Sequence, residues 1–259
     1  MDILQQTQFK ILLIGDSCED LYHYGFCNRI SPEAPVPVMD KVRTEVKEGM
    51  SSNVRLNLEA LNLEVIHLTH KEKITKHRFI EENRHQQLLR VDEGDYESLR
   101  PLEKASYEDL PIFDALVVSD YNKGFVRPTV ASELVSLYRS YDKPVFVDSK
   151  KNDLSCYSGA VIKINKNEVQ NVTKFPKEYE LITTLGKDGV KYRDEIFSTQ
   201  SVEVYDVCGA GDVFLSCLVY EYLNSNYNLQ KAIKFANICA SHSVTKFGNW
   251  IVDLNEICI

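Results

Sequence analysis

The segment V204-Y-D-V-C-G-A-G-D-V-F-L215 places two of the chain's 11 glycines and an aspartate at the start of a long apolar helical pattern. Glycines ahead of a helix let the backbone approach a ligand, and the first N–H groups of the helix carry partial positive charge. Gly209, Ala210 and Gly211 therefore predict an anion hole. Asp212 predicts a carboxylate that orients a bound hydroxyl and accepts its proton during phosphoryl transfer.

The same segment has a second interpretation, in which Asp212 only caps the helix. Aspartate is a favoured N-cap residue and glycine-rich turns are common, so the short motif alone does not decide between the two. A P-loop is excluded, because the pattern G-x-x-x-x-G-K-[ST] does not occur in the chain.

Alternating strand and helix patterns surround this segment. Short apolar runs predict buried strands at 9–15, 64–68, 114–119, 144–148, 160–164, 180–185 and 190–193. Helical spacing predicts helices at 51–61, with Ser51 or Ser52 as N-cap, and near 128–141, 211–224 and 229–246. This alternation predicts an α/β fold in which helices cover both faces of a mostly parallel sheet.

Two regions near 33–48 and 73–92 depart from the alternation, because strand pairs occur there with little helix between them. Short strands are predicted at 36–39 and 42–46, where Pro35 and Pro37 indicate a sheet edge. A hairpin is predicted from 74–81 and 87–91. We expect one domain over 1–259, with a small β lid contributed by roughly 20–50 and 73–92.

Charge and composition exclude several classes of function. The net charge is −8, from 38 acids and 30 bases, which argues against nucleic-acid binding. The N-terminus lacks a signal-peptide pattern and no apolar run approaches the ~20 residues of a membrane span, so we expect a cytoplasmic protein without a membrane partner. Seven irregularly spaced cysteines without a CxxC motif predict free thiols. They are Cys18, Cys27, Cys156, Cys208, Cys217, Cys239 and Cys258.

Four histidines lie close together in the sequence, at His67, His70, His77 and His85. Their spacing crosses a predicted strand and a predicted hairpin and includes no helical i, i+4 pair. The pattern therefore does not indicate a metal site.

Several segments together resemble the ribokinase-like (PfkB) carbohydrate kinases. V204-Y-D-V-C-G-A-G-D212 resembles the family's C-terminal signature, which is roughly D-T-T-G-A-G-D. Four further segments occur in the family's order: the first-strand loop I14-G-D-S-C-E-D-L-Y-H-Y-G25, N165-K-N-E168, T184-L-G-K-D-G-V190 and the late helix F235-A-N-I-C-A240. The resemblance covers 11–248 and implies a ribokinase-like three-layer sandwich with a small β lid.

Other segments are similar to the branch that phosphorylates D-glycero-D-manno-heptose 7-phosphate. They are R29-I-S-P-E-A-P-V-P-V38, I74-T-K-H-R78, Q86-Q-L-L-R-V-D92, S119-D-Y-N-K-G124 and D148-S-K150. This resemblance implies transfer of a phosphoryl group from ATP, with Mg²⁺, to the anomeric hydroxyl of a heptose phosphate. In bifunctional members the kinase is joined to an adenylyltransferase. The predicted kinase helices run almost to residue 259, so we expect the kinase part alone.

The resemblance implies a role for each matching residue. Asp212 becomes the catalytic base, and the three residues before it form the anion hole. Asn165 and Glu168 would hold the ATP phosphates and, through water, Mg²⁺. The remaining predicted ATP-site residues are Lys150, Gly186 and Asn237. The predicted sugar or sugar-phosphate contacts are Asp16, Asp20, Gly49, Asn53, Arg90 and Lys123. The family also implies a homodimer formed through the lid.

The chain departs from the family pattern at three places. The family's G-G-A-A-N segment is G49-M-S-S-N53 here, so Met50 replaces a glycine; Cys208 replaces a threonine; and residues 69–74 join two strands directly. Two alternatives therefore stay open beside the heptose kinase. One is a catalytically impaired relative that binds a sugar phosphate as a sensor or partner subunit, and the other is a PfkB kinase for a different sugar. The intact G-A-G-D and N-K-N-E motifs favour an enzyme.

Overall fold

The computed structural model describes residues 8–95, 99–199 and 202–257, and the N-terminal segment and Cys258 lie outside them. The strands in these residues are β1 (Lys10–Gly15), β2 (Ser17–Ile30), β3 (Pro37–Met50), β4 (Glu64–Leu68), β5 (Thr75–Glu81), β6 (Gln86–Glu93), β7 (Ala115–Asp120), β8 (Val145–Ser149), β9 (Val161–Asn165), β10 (Glu180–Thr184), β11 (Val190–Tyr192) and β12 (Glu195–Phe197). The α-helices are α1 (Ser51–Ala60), α2 (Pro128–Ser140), α3 (Lys166–Asn171), α4 (Ala210–Asn224) and α5 (Leu229–Ser243).

The large sheet has eight strands in the order β12-β11-β10-β9-β8-β7-β1-β4. Its six strands from β10 to β4 are parallel, and β11 and β12 are antiparallel additions at one edge. The five residues after Lys10 in β1 are buried without alternation, as expected for a parallel strand covered on both faces.

Helices cover the large sheet on both faces. Ile11 and Leu13 of β1 belong to an apolar cluster with residues of α1, α4 and α5. Leu12 and Ile14 point to the opposite face and belong to a second cluster with Leu134 of α2. Because successive strand residues face opposite sides, these two clusters define three layers. The predicted α/β fold with a mostly parallel sheet is confirmed.

The small sheet has four strands in the order β3-β2-β5-β6. Strands β2 and β5 are parallel, and each forms an antiparallel pair with an outer strand. On one side, which we call the inner face, Tyr22, Tyr24 and Ile80 are buried and pack against Phe247. The small sheet is therefore attached to the C-terminal part of the chain as well as to β1.

Several local predictions are wrong. The predicted loop at 14–25 is largely strand β2, in which buried and half-buried positions alternate. The two short strands at 36–39 and 42–46 are one continuous strand, β3, because no turn residue separates them; it does lie at the sheet edge. Met50, and neither serine, is the N-cap of α1. The short elements β12 and α3 were not predicted. Among the described residues no helix has the length and apolarity to cross a membrane.

Candidate active site

Asp212 lies at the amino-terminal end of α4, in its first turn. The N-cap residue is Gly209, whose φ of 72° is in the left-handed region that favours glycine. A Cβ at Gly209 would lie 2.9 Å from the Asn53 amide nitrogen, which is too close. No side chain caps this helix end. The interpretation of Asp212 as a simple N-cap is therefore wrong, and its carboxylate points elsewhere.

The Asp212 carboxylate is buried and accepts a hydrogen bond on each oxygen. Asn53 Nδ2 donates to Oδ2 across 2.8 Å, and the Tyr121 hydroxyl donates to Oδ1 across 3.2 Å. Burial raises the pKa of Asp212 to about 6, although the Asn53 hydrogen bond favours the ionised form. A carboxylate whose pKa is this close to neutrality is suited to accepting a proton.

The predicted anion hole lies at the same helix end. The first N–H groups of a helix have no acceptor within it. Ala210 N has only a long contact of 3.4 Å to Val207 O. These groups and the helix dipole together favour an anion directly beside Asp212.

A chain of alternating charges connects this helix end to the large sheet. Lys163 Nζ donates to Asp148 Oδ2 across 2.6 Å and to Gly211 O across 3.1 Å. Lys150 Nζ lies 3.3 Å from Asp148 Oδ1 and also pairs with Glu168. Burial opposes ionisation of Asp148, but the two lysines outweigh it and hold the pKa of that carboxyl below its usual range.

Asn165 and Glu168 form a capping box at the start of α3. Asn165 Oδ1 accepts from the backbone N–H of Glu168 across 3.0 Å, and Glu168 Oε2 accepts from the N–H of Asn165 across 2.7 Å. The described residues contain no cluster of three or more histidine, cysteine or acidic side chains that could hold a metal ion. Both Glu168 oxygens already have protein partners, so this pair would hold Mg²⁺ through the waters that the ion keeps.

A cavity of about 690 Å³ lies between α5 and the strand β12 with the residues that follow it. Asn237 lines this cavity, and its amide donates to Phe197 O and Ser198 O. Gly186 begins the turn after β10 and does not line it. Of these two predicted ATP-site residues, only Asn237 lines the cavity.

Asp16 follows β1 directly and is fully buried. Its Oδ2 accepts a long hydrogen bond of 3.3 Å from the backbone N–H of Lys123, and its Oδ1 has no partner among the described residues. Burial, and then the nearby charge of Asp120, raise the pKa of Asp16 to about 6. A buried oxygen without a partner is costly, so Asp16 is suited to accept a hydrogen bond from a ligand hydroxyl.

Asp20 lies on the inner face of the small sheet. Arg78 donates to its Oδ1 from Nη2 across 2.9 Å, and Asn249 Nδ2 donates to its Oδ2 across 3.0 Å. A Cβ at Gly49 would lie 2.3 Å from that same Oδ2, so the close approach of strand β3 requires glycine there.

Two predicted cations have carboxylate partners outside the predicted site. Arg90 makes two hydrogen bonds of 2.6 Å to Asp92. Lys123 Nζ lies 3.1 Å from Asp95 Oδ1. Of the other predicted residues, Asn53 and Gly209–Gly211 lie around Asp212, Lys150 and Asn165 lie around Glu168, Gly49 lies beside Asp20, and Asp16, Gly186 and Asn237 lie apart from these groups.

Four residues that contribute to this geometry were not predicted from the sequence. Lys163 and Asp148 form the buried ion pair, Tyr121 contacts Asp212, and Lys76 lies on the inner face. Only Lys163 left a clear signal, because a lysine inside the apolar strand V161-I-K-I164 must find a buried partner.

The sequence profile described as pfkB family carbohydrate kinase matches residues 50–252, a range that includes Asn53, Asn165, Glu168 and Asp212. The chain belongs to the pfkB family of carbohydrate kinases. This membership confirms the predicted enzyme class.

Curated relatives of this pfkB-family kinase carry the name bifunctional protein HldE. The protein from Campylobacter jejuni subsp. jejuni is 32% identical, in an alignment that covers 99% of this chain and 66% of the relative. The protein from Wolinella succinogenes is 33% identical over 95% of this chain and 63% of the relative. The chain thus spans less than two thirds of the second relative and about two thirds of the first.

Solved structures of other kinases share the fold of this pfkB-family chain. Phosphofructokinase-2 from Escherichia coli in complex with potassium superposes with a TM-score of 0.74 at 14% identity, over 96% of this chain and 97% of that one. Arabidopsis thaliana ribokinase complexed with ribose and ATP superposes with a TM-score of 0.65 at 11% identity, over 93% of this chain and 94% of that one. These similarities confirm the ribokinase-like fold.

Proposed function

We propose that this kinase transfers the γ-phosphoryl group of ATP to a hydroxyl, the anomeric one, of a heptose phosphate. The observation that carries the proposal is the pairing of a buried carboxylate with a helix N-terminus, at Asp212 and Gly209–Gly211. Similarity to the HldE proteins supports the sugar class.

In this proposal Asp212 accepts the proton of the attacking hydroxyl. The hydroxyl oxygen forms a bond to the γ-phosphorus while the bond from that phosphorus to the β,γ-bridging oxygen breaks, and ADP leaves. The N–H groups of Gly209, Ala210 and Gly211 stabilise charge on the transferred group. Lys163 pairs with Asp148 and donates to Gly211 O, and so fixes the position of this helix end.

The ATP phosphates would lie beside Lys150, Asn165 and Glu168, and the adenosine in the cavity lined by Asn237. When bound, Mg²⁺ would neutralise phosphate charge, held through water by Asn165 and Glu168. Gly186 would lie at the margin of the nucleotide site.

The sugar hydroxyls would bind Asp16, Asp20 and Asn53, with Gly49 leaving room for Asp20. In this proposal the small sheet covers the sugar as a lid, and its outer surface supports a homodimer. Phosphofructokinase-2, a fold relative, has been solved in a form described as tetrameric and inhibited.

A buried lysine on the inner face supports a phosphorylated acceptor. Arg78 pairs with Asp20 and Arg90 pairs with Asp92, so these charges cancel in pairs. Lys76 is 8% exposed, and in the described residues no carboxylate forms a direct ion pair with its ammonium; Asp92, opposite it on β6, is hydrogen-bonded to Arg90. A buried cation without a direct ion pair favours the binding of an anion, and a sugar phosphate would provide one.

Met50 does not favour the alternative of an impaired sensor. Its side chain is 4% exposed and belongs to the apolar cluster beneath the sheet, together with Leu12 and Ile14. The methionine side chain, at a position where the family pattern has glycine, therefore packs within the core.

The decisive experiment measures ADP formation over a panel of sugars and sugar phosphates for the wild type and Asp212→Asn. We expect turnover on a heptose phosphate and a loss of kcat of about 10²- to 10⁴-fold in the variant. Ligand-induced thermal stabilisation without turnover would instead support the sensor.

A second comparison tests the phosphorylated acceptor. Lys76→Met should raise KM for the sugar phosphate by about 10- to 100-fold, as expected for a lost interaction with a charged group, and leave KM for the unphosphorylated sugar unchanged. Lys73→Met is the matched control, because that lysine is exposed and pairs with Glu19 at 2.9 Å. Equal effects of Lys76→Met on both sugars would contradict a phosphate contact.

A further inference from the structure

Tyr121 is held in place by the turn that follows β7. The next residue, Asn122, has a φ of 60°, and its backbone N–H donates to Asp120 Oδ1 across 2.9 Å. A left-handed residue this close to the end of a strand turns the chain. The aromatic ring is thereby brought from the carboxyl end of the large sheet to α4.

The Tyr121 ring lies within cation–π distance of two lysines from different parts of the fold. Lys76 Nζ of the small sheet is 5.9 Å from the ring centroid, and Lys150 Nζ, which pairs with Glu168, is 5.5 Å from it. Lys76 belongs to the side proposed for the acceptor, and Lys150 to the side proposed for ATP. In the proposed arrangement the ring therefore lies beside both the acceptor and the ATP phosphates.

The Tyr121 hydroxyl and the Asn53 amide hold the Asp212 carboxylate from two directions, one on each oxygen. Neither donor carries a charge, so each favours the ionised carboxylate without forming a competing ion pair. A carboxylate held on both oxygens also has a fixed plane, which leaves a defined lone pair for a substrate hydroxyl.

We propose that Tyr121 is a positioning residue that keeps the Asp212 carboxylate ionised and oriented for the acceptor hydroxyl. This inference rests on the proposed function, since it takes Asp212 as the base. Other titratable groups face the pair from every neighbouring element: Asp148 of β8 and Lys150 just after it, Lys163 of β9, Cys18 of β2 and Lys76 of β5.

The test is the pH dependence of kcat/KM for the wild type and Tyr121→Phe. Losing a hydrogen bond to the ionised form should move the acidic limb upward by about one pH unit, because such bonds lower a carboxyl pKa by amounts of that order. The loss in kcat/KM should shrink as the pH rises. Tyr192→Phe is the matched control, since the Tyr192 hydroxyl donates to Glu180 across 2.9 Å near the far edge of the sheet. The acidic limb of the kcat/KM profile of this variant should not move.

A double-mutant cycle gives a readout that does not depend on turnover. The thermal destabilisation by Tyr121→Phe should grow with pH above about 6 in the wild-type background, where Asp212 ionises, and should be independent of pH in an Asp212→Asn background. An unshifted acidic limb, or identical pH profiles of destabilisation in both backgrounds, overturns the proposal. If the wild type phosphorylates no sugar, the cycle still decides whether Tyr121 and Asp212 are coupled.

Discussion

Lys163 and Asp148 form an ion pair of 2.6 Å in which the two side chains are 4% and 5% exposed. Both charges are almost entirely shielded from water, so removing either one leaves the other poorly compensated. Lys163 Nζ also donates to Gly211 O. The pair therefore joins strands β8 and β9 to the helix end that carries Asp212.

Lys163→Met should destabilise the protein by about 3–5 kcal/mol, because it leaves Asp148 buried without its closest cation. Urea unfolding measures this loss. Lys10→Met is the control, since Lys10 pairs with Glu64 at 3.0 Å with both side chains about half exposed, and should cost at most about 1 kcal/mol. A similar loss of unfolding free energy in the two variants would show that the buried pair is not required for stability.

The body of the fold could be predicted from the sequence because local patterns determine it. Buried parallel strands such as β1 and β9 are short apolar runs, and α4 begins at a glycine pair. Strand β2 was missed because its polar residues resemble a loop. Its partners in the small sheet, β3 and β5, come later in the chain, and only their pairing makes it a strand.

The site was predictable only where one segment contains it. The helix start at Asp212 and the capping box of Asn165 and Glu168 each lie within a few residues. The contact of Tyr121 with Asp212 joins residues 91 positions apart, and the contact of Asn53 with Asp212 spans 159. No local pattern indicates such contacts, so they follow from the packing alone.

Met50 provides a test of backbone strain. Its φ of 58° and ψ of −133° lie in a region that L-residues rarely adopt. Met50→Gly and Met50→Ala both remove the buried side chain, but only glycine relieves the strain. We expect the glycine variant to be more stable than the alanine variant by about 1–3 kcal/mol in urea unfolding.

The comparison at Arg55, in the middle of α1, is the control for this prediction. There the alanine variant should be the more stable by about 1 kcal/mol, because glycine disfavours a helix. The same order at both positions would show that Met50 is not strained.

His23, which stacks on His77, should make the stability of the small sheet depend on pH. Their rings stack 5.1 Å apart, and His23 Nε2 lies 2.9 Å from His77 Nδ1. Burial, then His77 and then Lys41, lower the pKa of His23. The unfolded chain therefore binds this proton more readily, and stability falls as the pH falls below about 6.5.

Thermal unfolding at about pH 7.5 and about pH 5.5, on either side of an ordinary histidine pKa, measures this dependence. His23→Gln removes one titrating ring and should lose less stability on acidification than the wild type. His85→Gln, on the exposed turn between β5 and β6, is the control and should behave as the wild type does. If His23→Gln lost as much stability on acidification as the wild type, the histidine pair would not be the source of the pH dependence.

Variants of Glu168 can separate its capping role from its proposed role near the ATP phosphates. Glutamine can keep the capping box with Asn165, whereas alanine cannot. The free energy of unfolding of Glu168→Gln should therefore lie within about 1 kcal/mol of the wild-type value, since the ion pair with Lys150 is only partly buried.

The metal dependence of the same variant tests the proposed role. Because the charge of Glu168 is lost, the Mg²⁺ concentration for half-maximal activity should rise by about tenfold, as it does when a carboxylate near a metal is removed. Glu168→Ala should show the same shift and an additional loss of about 1 kcal/mol from the missing cap. If Glu168→Gln required no more Mg²⁺ than the wild type, Glu168 would act only as a helix cap, and the metal would be held by other groups.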